Sequence, residues 1–174
     1  MLSLGVTIFV TCLFAQNYSP DVNGSEVKFS IKNFGLNVNG NFKGLRGKLS
    51  FNPSNPPASS LSASVDAASV NTGNNSRDNH LKKEEYFDVA KYPLISIAST
   101  KITNSTKAGD FFMEANITIR GVTKRVSFPF TASPKDKGYL FEGQFKLNRR
   151  DFGVGGKSLV LSDNLTVSLS VLAK

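Results

Sequence analysis

Hydrophobic and polar residues alternate along most of this chain with a period of two, the spacing that puts one set of side chains on each face of a β-strand. Val27, Phe29 and Ile31 alternate with Glu26, Lys28, Ser30 and Lys32. Leu45, Gly47, Leu49 and Phe51 repeat the spacing, and Leu61, Ala63, Val65 and Ala67 do so against Ser62, Ser64 and Asp66. Ile95 and Ile97 continue it after Pro93, and Met113, Ala115, Ile117 and Ile119 face away from Glu114, Asn116 and Thr118. Val126, Phe128 and Phe130 oppose Arg125 and Ser127; Phe141, Phe145 and Leu147 oppose Glu142, Gln144 and Lys146; Val167, Leu169 and Val171 close the series. About eight strands, each with one polar face, predict antiparallel pairing with water outside.

Turn residues divide the pattern at Asn39-Gly40, Lys43-Gly44, Asn52-Pro53, Pro56-Pro57, Arg120-Gly121 and Lys137-Gly138. The close recurrence of Gly40, Gly44 and Gly47 predicts a sharply bent or bulged corner. Pro129 lies inside a strand pattern and cannot donate a ladder bond, which predicts a bulge or an edge position. Residues 74–88 hold no alternation and several helix formers, so a short helical insertion is expected at about 75–88, capped by Asn75 or Ser76 and anchored by Leu81 and Phe87. The resulting outline is an all-β protein: a small closed antiparallel barrel whose interior is filled by side chains or holds one small ligand.

Parity assigns the candidate interior. Phe29, Ile31, Ile95, Ile97, Ile117, Ile119, Phe128, Phe130, Phe141 and Phe145 share the inward face of their strands. Val65 on its own strand, Phe42 in the glycine-rich run and Phe87 in the insertion complete the candidate lining. At 174 residues the chain fits one domain able to bury a core without staples. Lys and Arg outnumber Asp and Glu by 21 to 13, and the net +8 favours negatively charged partners, an anionic membrane surface among them. Nucleic acid is disfavoured, because a stacking surface needs exposed aromatics among the basic residues, and the phenylalanines here fall on the inward parity.

The first residues read MLSLGVTIFVTCLFAQ and carry no charge. The apolar run from Leu4 to Phe14 has the length of a signal-peptide core and is too short to span a bilayer comfortably. Leu13 and Ala15 stand where a signal peptidase reads, so residues 1–16 are expected to be a signal peptide, cut after Ala15 or Gln16, ahead of a barrel domain over 17–174. Export to the periplasm or the medium follows from that expectation. Cys12, the one cysteine, lies in the leader, so the mature chain would have neither disulfide nor thiolate chemistry. One histidine, His80, makes no metal site.

Several motifs carry a family resemblance. Residues 69–93 read SVNTGNNSRDNHLKKEEYFDVAKYP, with a Ser-x-x-Thr-Gly stretch leading into Arg-Asp-x-His-Leu, an aromatic-Phe-Asp and a Tyr-Pro. A G-x-F-x-G-x-x-G run spans Gly40 to Gly47, followed by Leu49-Ser50-Phe51, Ile117 to Lys124, Asn148 to Val154 and Leu161-Ser162-Asp163. In this combination, covering essentially all of residues 17–174, the chain resembles the YceI-like family. The resemblance implies a lipocalin-like eight-stranded barrel whose apolar tunnel holds a polyisoprenoid chain, such as an isoprenoid quinone or a prenyl phosphate. It implies no catalytic residue and no cofactor beyond that bound lipid. Arg77, His80 and Arg149 lie in the two signature segments least explained by alternation, and a head group would meet them at the barrel's open end. The competing reading is an enzyme for an apolar small molecule on the same scaffold. It requires an acid–base pair that interrupts the inward apolar parity, and the only such residues are Arg77, Asp78, His80 and Arg149.

The leader generates a first prediction. Protein purified from its native host should have an intact mass lacking residues 1–15 or 1–16; a mass that includes them would refute cleavage.

Overall fold

Where the strands begin and end is set by backbone positions that tolerate positive φ. The computed structural model describes residues 15–174. The expected leader therefore lies, up to Phe14, outside the described residues. Ten strands form one antiparallel sheet in the order β1-β4-β5-β6-β7-β8-β9-β10-β2-β3. They are β1 (Gln16–Tyr18), β2 (Glu26–Asn33), β3 (Leu36–Phe42), β4 (Arg46–Phe51), β5 (Ser60–Asp66), β6 (Leu94–Asn104), β7 (Asp110–Ile119), β8 (Val122–Lys135), β9 (Gly138–Asn148) and β10 (Leu161–Ala173). The sequence predicts the other eight and misses β1 and β3. In β3 the pair Asn39-Gly40 is strand, not turn, and the true β2–β3 turn is Phe34-Gly35, with φ of 50° and 77°. Gly40 is needed for closeness: a Cβ there would lie 2.3 Å from the Phe29 ring. The β8–β9 turn likewise falls one residue early, at Asp136-Lys137, with Gly138 already paired to Lys135. Arg120-Gly121 is a turn as expected, both residues at positive φ.

The sheet curls into a barrel, and its two ends meet through a corner rather than a strand ladder. Only Lys43, Gly44 and Leu45 separate β3, at one end of the order, from β4, next to the other end. Gly44 has φ of 72°, and a Cβ would sit 2.0 Å from Asp66 Oδ2. Across this seam Asn41 and Asn71 exchange backbone bonds of 2.9 and 3.0 Å, the Asp66 N–H donates to Lys43 O at 3.0 Å, and Arg46 pairs with Asp66. The expected corner is thus present, while closure by an eight-strand ladder is replaced by these contacts. Pro129 stands where β8 leaves β9: the β8–β9 register begins one residue later, at Phe130–Gly143. An edge position on that side, as expected, leaves its missing N–H without cost.

Parity gives direction but not depth, and depth divides the interior. A bulge between Ser99 and Lys101 switches the inward set of β6 from odd to even positions, so that Ile102 is buried to 1% exposure. Ile102 joins a packed end in which the Phe51 ring meets Phe111, Tyr139 and Phe141 edge-on at 5.3, 5.2 and 5.1 Å. Phe130 stacks on Phe111 at 5.4 Å, and Tyr18 of β1 meets Tyr139 at 5.6 Å. Burial, and then the neighbouring Tyr139, raise the Tyr18 phenol pKa above its ordinary value. This aromatic plug closes the end that carries the β4–β5, β6–β7 and β8–β9 connections.

Phe51 is 1% exposed and central to the plug. Phe51→Ala should lower unfolding free energy by about 3–5 kcal/mol, read as a shifted urea midpoint. Ligand capacity per folded molecule should be unchanged, because Phe51 does not touch the cavity described next.

Candidate functional site

The opposite end carries the β2–β3 turn, the insertion between β5 and β6, the β7–β8 turn and the β9–β10 connection. There the interior is not filled. A cavity of about 690 Å³ opens, within the size range of pockets that enclose one small ligand. Its walls are apolar: Phe29 and Ile31 of β2, Phe42 of β3, Val65 of β5, Ile95 and Ile97 of β6, Ile117 and Ile119 of β7, and Phe145 of β9. Phe87, from the insertion, also lines it, with its ring 5.6 Å from Phe42. These ten are the expected lining residues that the structure brings together.

Phe128, Phe130 and Phe141 are a correction. All three face inward and are buried, but they do not line the cavity. Phe130 and Phe141 belong to the plug, and Phe128 stacks behind Phe145 at 4.5 Å. Residues that the sequence reading misses replace them. Val38 lies on the unrecognised β3, and Leu165 precedes the part of β10 whose alternation is visible. Phe152 and Val154 lie in the 3-10 turn Arg149–Phe152 and just after it, where no alternation exists to show burial.

One group of polar lining residues comes from the insertion and its flank; Lys28, Asn33, Ser64, Ser96, Arg149 and Ser158 come from the strands and the β9–β10 connection. Helix α1 (Asn75–Leu81) is capped by Asn74, whose side chain accepts from Arg77 N, one residue before the expected cap. After about two turns of helix the chain runs on to β6 as turns rather than as helix to residue 88. Arg77 and His80, three apart on one helix face, both reach the cavity, as do Thr72, Asn74 and Ser76. Arg77 and Asp78 form no ion pair; both are organised by Thr72. The Thr72 N–H and hydroxyl donate to the buried Asp78 Oδ1 at 2.9 and 2.5 Å, and Arg77 Nε donates to Thr72 Oγ1 at 2.7 Å. Arg77 Nη2 donates to Thr72 O at 2.9 Å, and Nη1 has no partner among the described residues. His80 is exposed, with its ring against Tyr86 at 4.9 Å.

Arg149 lines the same cavity, but its donors are committed. It is 5% exposed. Nε donates to Ser162 O at 3.0 Å, Nη1 to Val154 O and Gly156 O at 2.9 and 3.0 Å, and Nη2 to Asp163 Oδ1 at 2.8 Å, with Leu161 O further off at 3.5 Å. It clamps the β9–β10 connection. Arg120 holds the insertion against that connection, donating to Glu84 O at 2.8 Å and to Gly153 O, while Gly155 N donates to Glu85 O at 2.8 Å. Among the described residues no group of three His, Cys, Asp or Glu could hold a metal.

A family model described as a YceI-like domain matches residues 18–173. A UPF0312 protein of Ectopseudomonas mendocina (strain ymp) is 32% identical over 98% of this chain and 93% of its own length. The structure of Burkholderia cenocepacia BcnA superimposes with a TM-score of 0.83 over 87% of this chain and 98% of its own, at 21% identity. A polyisoprenoid binding domain from Saccharophagus degradans superimposes with a TM-score of 0.73 over 92% of this chain and 98% of its own, at 16% identity.

Arg149→Gln should cost on the order of 3 kcal/mol, because it strands buried carbonyls and breaks a partly buried ion pair. Its ligand preference should stay fixed. Arg77 lines the cavity and keeps Nη1 without a partner among the described residues, so Arg77→Gln should weaken a prenyl phosphate more than a neutral quinone with little change in melting temperature. Titrating both ligands into both variants, alongside thermal melts, checks the pair.

Proposed function

The chain belongs to the YceI-like domain family, and from that premise we propose that it is an exported lipid-binding protein. It holds a polyisoprenoid chain, an isoprenoid quinone or a prenyl phosphate, in the barrel cavity as a carrier, store or sequestering protein. The observation that carries this reading is the cavity itself: closed by aromatic rings at one end, lined mainly by Ile, Val, Leu and Phe, with a cluster of polar residues at α1. The solved polyisoprenoid binding domain that shares this fold supports the ligand class. A YceI-like fold around such a cavity favours a binding protein over an enzyme. The leader at residues 1–16 supports export to the periplasm or beyond.

The energetics suit a carrier. Each buried CH₂ is worth about 0.8 kcal/mol against water, so a long prenyl tail drawn from water would exceed the affinity ceiling of roughly 20 kcal/mol. The physical reference is the bilayer, where the tail is already dry. Moving it from bilayer to cavity is then nearly neutral, and loading and unloading are both accessible. Tail length and head-group contacts near Arg77 and His80 provide the discrimination.

Native mass spectrometry of the purified mature protein should show a lipid adduct that organic extraction removes. Ile117 is 5% exposed and lines the cavity. Ile117→Trp should therefore fill ligand space, lowering lipid uptake severalfold while the melting temperature changes little. A large loss of stability with uptake intact would instead mean a filled core.

A further inference from the structure

The rim of the cavity is apolar and exposed, from Phe34 and Val160, which line the mouth, to Leu36 and Leu159 just outside it. Phe34 and Leu36 on the β2–β3 hairpin are each 74% exposed, and Leu159 and Val160 before β10 are 99% and 39% exposed. The two segments are joined: Phe34 N donates to Val160 O at 2.9 Å, and Asn33 pairs with Leu161. Leu36 has the parity of Val38 and lies beyond the cavity lining, on the same side of the hairpin. Phe34 stands at a two-residue turn with φ of 50°, a position that favours Asn or Gly and disfavours a bulky ring. A strained backbone that holds a largely exposed aromatic ring at the cavity mouth points to a use at that mouth.

Charge accompanies this rim. Lys32 and Lys157, each two residues before an exposed apolar side chain, are themselves exposed and enter no ion pair among the described residues. No Asp or Glu occurs in residues 27–65 or in 152–162. We propose that this rim docks the cavity mouth onto an anionic bilayer surface: Phe34, Leu36, Leu159 and Val160 enter the acyl boundary while Lys32 and Lys157 meet lipid phosphates. Apolar insertion combined with basic residues is the physics of peripheral membrane binding. The mouth then faces the phase in which an apolar ligand is dissolved, and a tail passes into the barrel without crossing water. The inference rests on the rim and its charge, not on which ligand the cavity holds.

Cosedimentation of the mature protein, stripped of lipid, tests it. The probes are vesicles of phosphatidylcholine alone and of phosphatidylcholine mixed equally with phosphatidylglycerol. The expected result is association with the mixed vesicles that weakens as salt is raised. Leu36 and Leu159 do not line the cavity, so Leu36→Asp/Leu159→Asp should reduce association at least tenfold with an unchanged melting temperature. Lys32→Gln and Lys157→Gln should each reduce it about fivefold. Three results would overturn the proposal: no association of the unaltered protein with mixed vesicles, full association of the double Leu variant, or a dimer in solution that this variant dissolves. Uptake of a prenyl lipid from detergent micelles, measured on the same proteins, reports on the cavity alone. Its failure in the unaltered protein would count against the ligand reading and leave docking intact.

Discussion

The rings around Phe51 set the terms for the rest of the molecule. An unfilled apolar cavity forfeits dispersion contacts along its whole lining, so the barrel must recover stability elsewhere. It does so at the opposite end, where Phe51 contacts Phe111, Tyr139 and Phe141 at 5.1–5.3 Å and Ile102, Ala115 and Ala173 are almost completely buried. Dense packing at one end and open space at the other give the cavity a floor and a single direction of entry. The same chemistry that reads as one inward stripe along each strand therefore has two physical roles, separated by height in the barrel.

The open end needs a different kind of support, because it has few side chains to pack. Polar groups with fully assigned partners provide it. The Arg149 guanidinium gathers carbonyls from the β9–β10 connection and the Asp163 carboxylate. Thr72 and the buried Asp78 fix the start of α1. Arg120 and Gly155 tie the insertion to the same connection. Buried polar networks hold geometry when every member is satisfied, and here they hold a rim without filling the space inside it. Arg120 Nε is the exception, a buried donor with no partner among the described residues.

Arg77, which also lines the cavity, differs from Arg149 in having one nitrogen with no partner among the described residues, which makes the two arginines unequal candidates for a head group. Charge-assisted hydrogen bonds are the stronger kind.

The sequence by itself determined the strands, their inward faces and the glycine corner, because a period of two and the φ demands of turns are local properties. Val27–Ile31, Met113–Ile119 and Phe141–Leu147 are legible for that reason. It did not reveal β3, where Asn alternates with Val and Gly and the Asn39-Gly40 pair imitates a turn. Nor could it place Phe128, Phe130 and Phe141 in the packed half and Phe145 at the cavity, since parity carries no information about height along the barrel axis. That was decided by strand register, by the bulge at Ser99–Lys101 and by which rings meet across the interior. Likewise, the Arg77 and Arg149 motifs stand out in the chain as two cationic signatures, but only the fold brings five oxygens around one guanidinium and leaves a nitrogen of the other free. Hydrogen-bond saturation depends on residues distant in sequence, so it is a property of the tertiary structure alone.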